Sequence, residues 1–396
     1  MQPVSGAGRA RPGRRRRRLR RRLRRRIAVV VLIVLITPVL YSYVTTMTKP
    51  SSLPLSVRTI EWIRTNHGAW LVNTVEHYWY SWNTPAPGGA ALAKLPTVGF
   101  AVHSPRPKRR VTAEYRPRRI SPLLRPALPL EGVWQATGRL VRKAPPVLVT
   151  TFRPDANYPR VVAYVAWIDH TRTQLALYPG RYEPPGASRR GTMEVPVGER
   201  SRLLATFNSG FTYGDAHGGF GVDGQTVKSF RAGDGTVVAY RDGRVDVIAW
   251  HGGSSLPPWL ALARQNLPLI VDRGRPSPEL SDPHAFWGYT LGNAVRVWRS
   301  GLGVDRHGNL IYAAADLQTA GTLASLLARA GAVRAMELDI NPEWPSFITY
   351  SAPGGQGAIK LVPNDQQSTH RYLVPDDRDF FAVYSRSTSV ATVPFR

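Results

Sequence analysis

Residues Gly301 to Trp344 read GLGVDRHGNLIYAAADLQTAGTLASLLARAGAVRAMELDINPEW. Two apolar runs, Leu302–Val304 and Leu310–Ala315, flank Asp305, Arg306, His307, Gly308 and Asn309. A five-residue turn containing glycine between such runs predicts a β-hairpin. Leu323, Leu326, Leu327 and Ala330 then recur at i, i+3, i+4 and i+7, which predicts a helix. Thr319 or Thr322 can cap its start, and Gly331 stands where a left-handed C-terminal residue is wanted. The chain returns through Ala332 to Asp339 as a buried strand. Glu337 and Asp339 are two apart, so a regular strand puts them on one face. Two carboxylates on an otherwise apolar strand are costly unless something compensates their charge.

Working outward, residues 146–396 are expected to form the main domain. Val147–Phe152, Arg160–Ile168, Gln174–Tyr178 and Leu203–Phe207 read as strands. Arg241-Asp242-Gly243 is a hairpin turn between Thr236–Tyr240 and Arg244–Trp250. Trp259–Gln265 is expected as a short helix, and Ala294–Arg299 as a strand. Many strands and few helices define an α+β class, with a mixed, mainly antiparallel sheet and packed helices.

The N-terminal half is organised differently. The chain has 396 residues, a net charge of +27 and no cysteine. Disulfides, thiolate nucleophiles and cysteine-based metal sites are thereby excluded. Residues 1–26 carry thirteen Arg and no acid and are expected as a cytoplasmic tail. Ile27–Val44 has no charge, and eighteen residues make about 27 Å of helix, close to a bilayer core. A single transmembrane helix over 27–46 is expected, with the arginines holding the N-terminus inside. A cleaved signal peptide is the rival reading. The arginine run is read as a topology signal and not as a nucleic-acid contact.

Residues 47–84 are expected as a juxtamembrane amphipathic segment, with Leu71, Val75, Tyr78 and Trp82 on one stripe. Packing of that stripe against the main domain is the first expectation, and contact with the outer leaflet the second. From Pro85 to Pro146 the chain carries eleven Pro. With Arg106, Lys108, Arg109, Arg110, Arg116, Arg118 and Arg119, residues 85–145 read as a Pro-rich basic linker. Its charge suits an anionic lipid or wall polymer.

Familiar nucleophile motifs are absent: there is no G-x-S-x-G, S-x-x-K or H-E-x-x-H. The chemistry-bearing candidates are polar residues at strand ends. Asn208 precedes Gly210, which permits close backbone approach. Arg299 ends a strand and has the fork geometry that holds phosphate. Glu337 and Asp339 form the strongest pair; Asp215 and His217 form a weaker one in a Gly-rich loop. A carboxylate pair serves acid–base catalysis on a leaving oxygen or oxygen ligation of a divalent cation such as calcium.

Phe207-Asn208-Ser209-Gly210-Phe211 looks like the Asn-Gly-Gly-Phe-Phe strand end of the phosphodiester glycosidase family. Trp298-Arg299-Ser300-Gly301-Leu302-Gly303 looks like its Arg-Thr-Ala-x-Gly. The hairpin that follows, and the helix and strand from Leu323 to Asp339, resemble the segment leading to its Leu-Asp-Gly-Gly-Gly-Ser-Ser. The resemblance spans about residues 146–390. It implies hydrolysis of a sugar-1-phosphodiester in a cell-wall or exopolysaccharide component, with Asn208, Arg299 and Asp339 carried over by position. Ile340-Asn341-Pro342-Glu343-Trp344 departs from the family's glycine turn. Such a turn offers backbone N–H groups to an anion, whereas Pro342 has none and Glu343 repels phosphate.

The resulting expectation is a single-pass cell-membrane protein with an extracytoplasmic hydrolase domain. Asp339, Glu337 and Asn208 are its expected catalytic group; Arg299, Gly210, Asp215 and His217 are expected to bind substrate. The expected partners are the membrane and an anionic glycopolymer or sugar-phosphodiester, not nucleic acid. A non-catalytic module that binds an anionic wall polymer is the alternative, and an envelope-assembly scaffold is a third reading.

Overall fold

A computed structural model describes residues 13–83, 86–96, 115–188, 190–281, 287, 296–363 and 367–386. Arg106, Lys108, Arg109 and Arg110 of the expected basic cluster, and the first residues of the expected strand Ala294–Arg299, lie outside them.

The chain forms two compact units. The first comprises residues 1–49 and 55–68. It holds α1 (Gly13–Met47) and α2 (Leu55–Ile63), followed by a single π-helical turn, Arg64–Gly68. Within α1, Arg22–Met47 is long and apolar enough to cross a membrane, a property it shares with signal sequences. Arg58 of α2 is buried. It donates to the backbone oxygens of Met47 at 2.9 Å and Lys49 at 3.0 Å, and to that of Thr46. The C-terminal carbonyls of a helix lack intrahelical donors and carry partial negative charge, so a buried guanidinium satisfies both needs. Tyr43 and Trp62 meet edge to face, 5.2 Å between ring centres.

The second unit comprises residues 50–54 and 69–396. It starts with α3 (Ala69–Trp82). Trp70, Leu71, Val75, Tyr78, Trp79 and Trp82 of this helix are all exposed, Trp82 by 83%. The expected packing of this stripe against the main domain is therefore corrected: those side chains face outward.

The strands follow in order. They are β1 (Gln135–Thr137), β2 (Val147–Phe152), β3 (Ala163–Ile168), β4 (Thr173–Tyr178) and β5 (Leu203–Asn208). After the one-turn α4 (Tyr213–Ala216) come β6 (Phe220–Val222), β7 (Gln225–Lys228), β8 (Asp234–Tyr240), β9 (Val245–Ala249) and β10 (Leu260–Asp272). Next are β11 (Arg275–Pro276), β12 (Val297–Val304), β13 (Leu310–Gln318) and α5 (Ala320–Arg329). β14 (Arg334–Ile340), β15 (Phe347–Ala352), β16 (Gln356–Lys360) and β17 (Phe380–Ser385) complete the set.

Every pairing among these strands is antiparallel. The larger sheet runs β1-β2-β3-β13-β12-β14-β10-β6-β7, with β8, β9 and β11 joined through β10 and β8. The smaller runs β16-β15-β5-β17-β4. Apolar residues of both sheets, including Tyr164, Leu302, Tyr312, Met336 and Leu338 with Phe207, Phe347 and Phe381, share one core. α5 covers the other face of the larger sheet through Leu323, Leu326 and Leu327. Truncating one such leucine to alanine costs about 2–5 kcal/mol.

The opening stretch folds as the sequence predicts. β12 and β13 form the hairpin, and Thr319 caps α5 in a reciprocal box with Thr322. Gly331 follows with φ of 105°. A Cβ on Gly301 would stand 2.7 Å from Leu327 Cδ1, so a side chain there would force Leu327 to move away from β12.

Two expectations are corrected. Trp259–Gln265 is no helix: Leu260 onward is β10, paired with β8 and β6. Its Leu, Ala, Arg and Gln favour helix locally, and long-range pairing overrides that preference. The main domain also begins before residue 146. β1 pairs with β2, and Gly132 N donates to Thr151 O at 2.9 Å. Glu131 is wholly buried and paired to Arg153 at 2.8 Å. The prolines exclude long regular elements there, but they do not prevent docking through Ile120 and this ion pair.

Candidate active site

β5 ends at Asn208, where its apolar run gives way to Ser209-Gly210-Phe211. Asn208 is buried, and all of its hydrogen-bonding capacity is used inside the protein. Its Oδ1 accepts from Tyr312 Oη at 2.9 Å and Ser346 N at 3.0 Å. Its Nδ2 donates to Ser300 Oγ at 3.0 Å and Ser209 O at 3.2 Å. Ser300 Oγ in turn donates to Asp339 O at 2.6 Å. The side chain of Asn208 thus ties the smaller sheet to β12 and β13 and places the end of β14 beside it. It positions the site and has no donor left for a ligand.

β14 departs from regular geometry where its two carboxylates sit. Gly301 pairs with Glu337 but Arg299 pairs with Ile340, so β14 holds one extra residue between these pairs. Such a bulge breaks strict alternation, and the two acids take different partners. Glu337 Oε1 accepts from Arg299 Nη1 at 2.6 Å. Arg299 is 1% exposed and also donates to Gln318 O at 2.8 Å and Trp287 O at 3.0 Å. Burial raises the Glu337 carboxyl, while Arg299 opposes that shift. The expectation that Arg299 faces a phosphate is corrected, because its fork is held by protein groups.

Asp339 lies elsewhere. Both its carboxylate oxygens accept from Arg378 Nη2, at 2.9 and 3.0 Å. Arg378 also donates to Gly210 O at 3.3 Å and lies 4.5 Å over the Trp344 ring. Asp339 N donates to Ser209 O at 3.3 Å. Burial pushes the Asp339 carboxyl up to about 8; Arg378 pulls it down and neighbouring Asp379 pushes it further up. Asp379 Oδ2 accepts from Arg264 Nε and from Ser209 Oγ, both at 2.6 Å. Arg264 Nη2 donates to Phe211 O at 2.7 Å. Glu183 completes the group. Its Oε2 accepts from Tyr213 N at 3.1 Å, and burial raises its carboxyl against the pull of Arg378 and Arg264.

The site is therefore a set of buried Asp339, Arg378, Asp379, Arg264 and Ser209 with half-buried Glu183 beside them, where β5, β10, β14 and β17 converge. Of the expected residues it includes Asp339 directly, with Asn208 and Gly210 shaping it. A Cβ on Gly210 would fall 1.9 Å from Asn266 Oδ1, whose amide holds Phe211 N and Glu337 O. Asp215 and His217 are exposed on α4 and its C-cap, where Asp215 bonds to Thr212 and His217 to Tyr213 O. They do not join the buried set. Among the described residues no three His, Asp or Glu side chains stand together as a metal site, so the calcium expectation finds no ligand cluster.

Arg264, Arg378, Asp379 and Glu183 were missed at the sequence level. Asp376-Asp377-Arg378-Asp379 directly before the apolar run Phe380–Tyr384 is the signal that could have found two of them. Arg264-Gln265-Asn266 inside the apolar β10 is the signal for a third.

No family model matches the chain, and no curated protein matches it. Among solved structures it is similar to the zebrafish N-acetylglucosamine-1-phosphodiester alpha-N-acetylglucosaminidase catalytic domain. That likeness covers 64% of this chain and 88% of the other, at 16% identity and a TM-score of 0.41. A hypothetical protein from Synechocystis is also similar, over 64% of this chain and 65% of the other, at 16% identity and a TM-score of 0.34. The relationship is a distant one of fold.

Proposed function

We propose that this chain is a membrane-anchored extracytoplasmic hydrolase that cleaves a sugar-1-phosphodiester in a cell-wall or exopolysaccharide component. The observation that carries the reading is the Asp339 carboxyl, raised to about 8 and held between Arg378 and the Asn208–Gly210 strand end. A carboxyl with that pKa is protonated at neutral pH and can donate to a leaving oxygen. In the proposed step the bond from the anomeric carbon to the phosphoryl oxygen breaks. Asp339 gives its proton to that oxygen, and water adds to the anomeric carbon and loses a proton to Glu183. Arg378 and Arg264 offset the phosphoryl charge, replacing the role expected of Arg299. The anchor is α1, and the exposed aromatic stripe of α3 lies against the outer leaflet.

The test is release of free sugar from methyl N-acetylglucosaminyl phosphate. Asp339→Asn should lower the rate by about 100-fold or more while the unfolding transition stays cooperative. Full retention of hydrolysis would sink the assignment. Without the thirteen Arg of residues 1–26, the chain keeps a net charge of +14 (27 minus 13), which favours a second reading, a non-catalytic binder of an anionic wall polymer. Salt-sensitive binding with no product formed by the wild type would support that reading.

A further inference from the structure

At the opposite end of β12 and β14 from Asp339 lies a cavity of about 420 Å³, within the range of about 300–1,000 Å³ typical of small-molecule sites. Arg118, Arg119, Arg306 and Arg329 line it, together with Tyr115 and Asp305. All four arginines are exposed. None of the four takes part in an ion pair among the described residues.

Three of the four side chains are tied to the protein by hydrogen bonds, and Arg118 through its backbone. Arg119 donates to Glu131 O at 3.3 and 3.1 Å, Arg329 to Ser121 O, and Arg306 to His307 Nε2 at 2.9 Å. Trp134 Nε1 donates to Arg118 O at 2.9 Å and holds that segment in place. Tyr115 packs against His307 at a tilt of 39°, 3.8 Å between ring centres, on one side of the cavity.

The single carboxylate in the lining is already satisfied. Asp305 accepts from Trp167 Nε1 at 3.0 Å, His307 N at 2.8 Å, and Asn309 N at 3.0 Å. The Asn309 amide also donates to it, at 3.1 Å and 3.3 Å. The last carbonyls of α5 are occupied too: Leu326 O, Ala328 O and Leu327 O accept from Ala330, Gly331 and Ala332 N, each at 3.0 Å. The cavity is left with four guanidinium groups against one carboxylate. Arg306 also bonds the Tyr115 side chain, and each guanidinium, with five N–H donors, keeps donors beyond these bonds.

We propose that this cavity binds a phosphoryl anion through the guanidinium groups of Arg118, Arg119, Arg306 and Arg329. Guanidinium forks match phosphate oxygens in pairs and stay charged at every relevant pH. The site is distinct from the acid–base group: Val333 in its lining and Asp339 at the far end of β14 are six residues apart along the strand, about 20 Å. It does not depend on the hydrolase reading, since binding is measured without turnover. The phosphoryl group could be free phosphate or one unit of a phosphodiester polymer, and the test separates these sources.

The experiment is calorimetric titration of the full chain in detergent with inorganic phosphate and, separately, with a poly(glycerol phosphate) oligomer. The double variant Arg118→Gln/Arg306→Gln alters two exposed side chains outside the active site. Wild-type binding of either probe, weakened about 10-fold or more in the double variant, is the expected result. Asp339→Asn should bind as the wild type does. Tighter binding of the oligomer than of phosphate, lost in the same variant, assigns the cavity to the polymer. Equal or weaker binding of the oligomer assigns it to free phosphate. No binding of either probe, or equal binding by wild type and double variant, overturns the proposal.

Discussion

Arg378 donates to both carboxylate oxygens of Asp339, at 2.9 and 3.0 Å, and burial still holds that carboxyl at about 8. The loss of water around Asp339 outweighs the attraction of the guanidinium. A proton bound in the folded state at neutral pH has a thermodynamic consequence.

In the unfolded chain Asp339 titrates near 3.8, and in the folded chain near 8. Below about pH 4 both states hold the proton and the contribution to stability is complete. Between pH 4 and 8 only the folded state holds it. Stability falls as pH rises, by at most about 1.4 kcal/mol per pH unit for one proton. Asp339→Asn cannot titrate, so its stability profile should be flatter than that of the wild type between pH 5 and 7.5. Urea unfolding at several pH values measures this; parallel profiles would contradict the shift. Hydrolysis by the wild type should decline above about pH 8 as the acid is lost.

Arg299 and Glu337 form a fully buried pair at 2.6 Å. Removing one partner leaves a charge in the core and costs about 3–5 kcal/mol. Glu337→Leu should therefore destabilise the domain strongly. Arg299→Met combined with Glu337→Leu should recover much of the loss, as a double-mutant cycle in urea would show. Additive losses would mean that the two side chains do not compensate each other.

Gly210 sits against the Asn266 amide, where a methyl group has no room. Gly210→Ala should destabilise by about 1–3 kcal/mol. Asn266→Ala alone leaves Phe211 N and Glu337 O without their partner. In the double variant the methyl clash is gone, so the combined loss should be smaller than the sum of the single losses. Thermal unfolding of the four proteins decides it.

Asn208→Leu keeps the branched four-atom side-chain shape and removes four hydrogen bonds, of which those to Tyr312 and Ser300 run between the sheets. Each buried group left unsatisfied costs about 1–3 kcal/mol, so both stability and hydrolysis should fall. Asn208→Ser should fall less if it keeps the Ser346 bond. A Leu variant as active as the wild type would contradict the positioning role.

The hairpin–helix–strand unit was legible because its signals are local. Glycine in the turn, helical spacing in Leu323–Ala330 and threonine capping each act within a few residues. β10 was not legible as a strand, because its pairing with β8 and β6 is a tertiary event that local preference opposes. The site was half legible. A carboxylate on an apolar strand must find compensation, and Asp339 stood out for that reason. Which cation compensates it depends on folding. The bulge in β14 divides Glu337 from Asp339, so the arginine nearest in sequence reasoning, Arg299, serves Glu337. Arg378 arrives from a segment 39 residues beyond Asp339. The exposure of the α3 stripe was not legible either, since an amphipathic pattern does not say what meets its apolar face.

Ser209 reaches Asp379 across 170 residues of chain, and Arg264 reaches it across 115. Both bonds close long loops, and their entropy cost must be met by docking of the two sheets. The contacts around Asp379 are thus expected to form after the hairpins that carry them. In refolding from urea, secondary structure should return before hydrolysis, and a variant that only slows sheet docking should widen that interval. A half-folded chain would carry every residue of this buried group without the contacts that raise the Asp339 carboxyl.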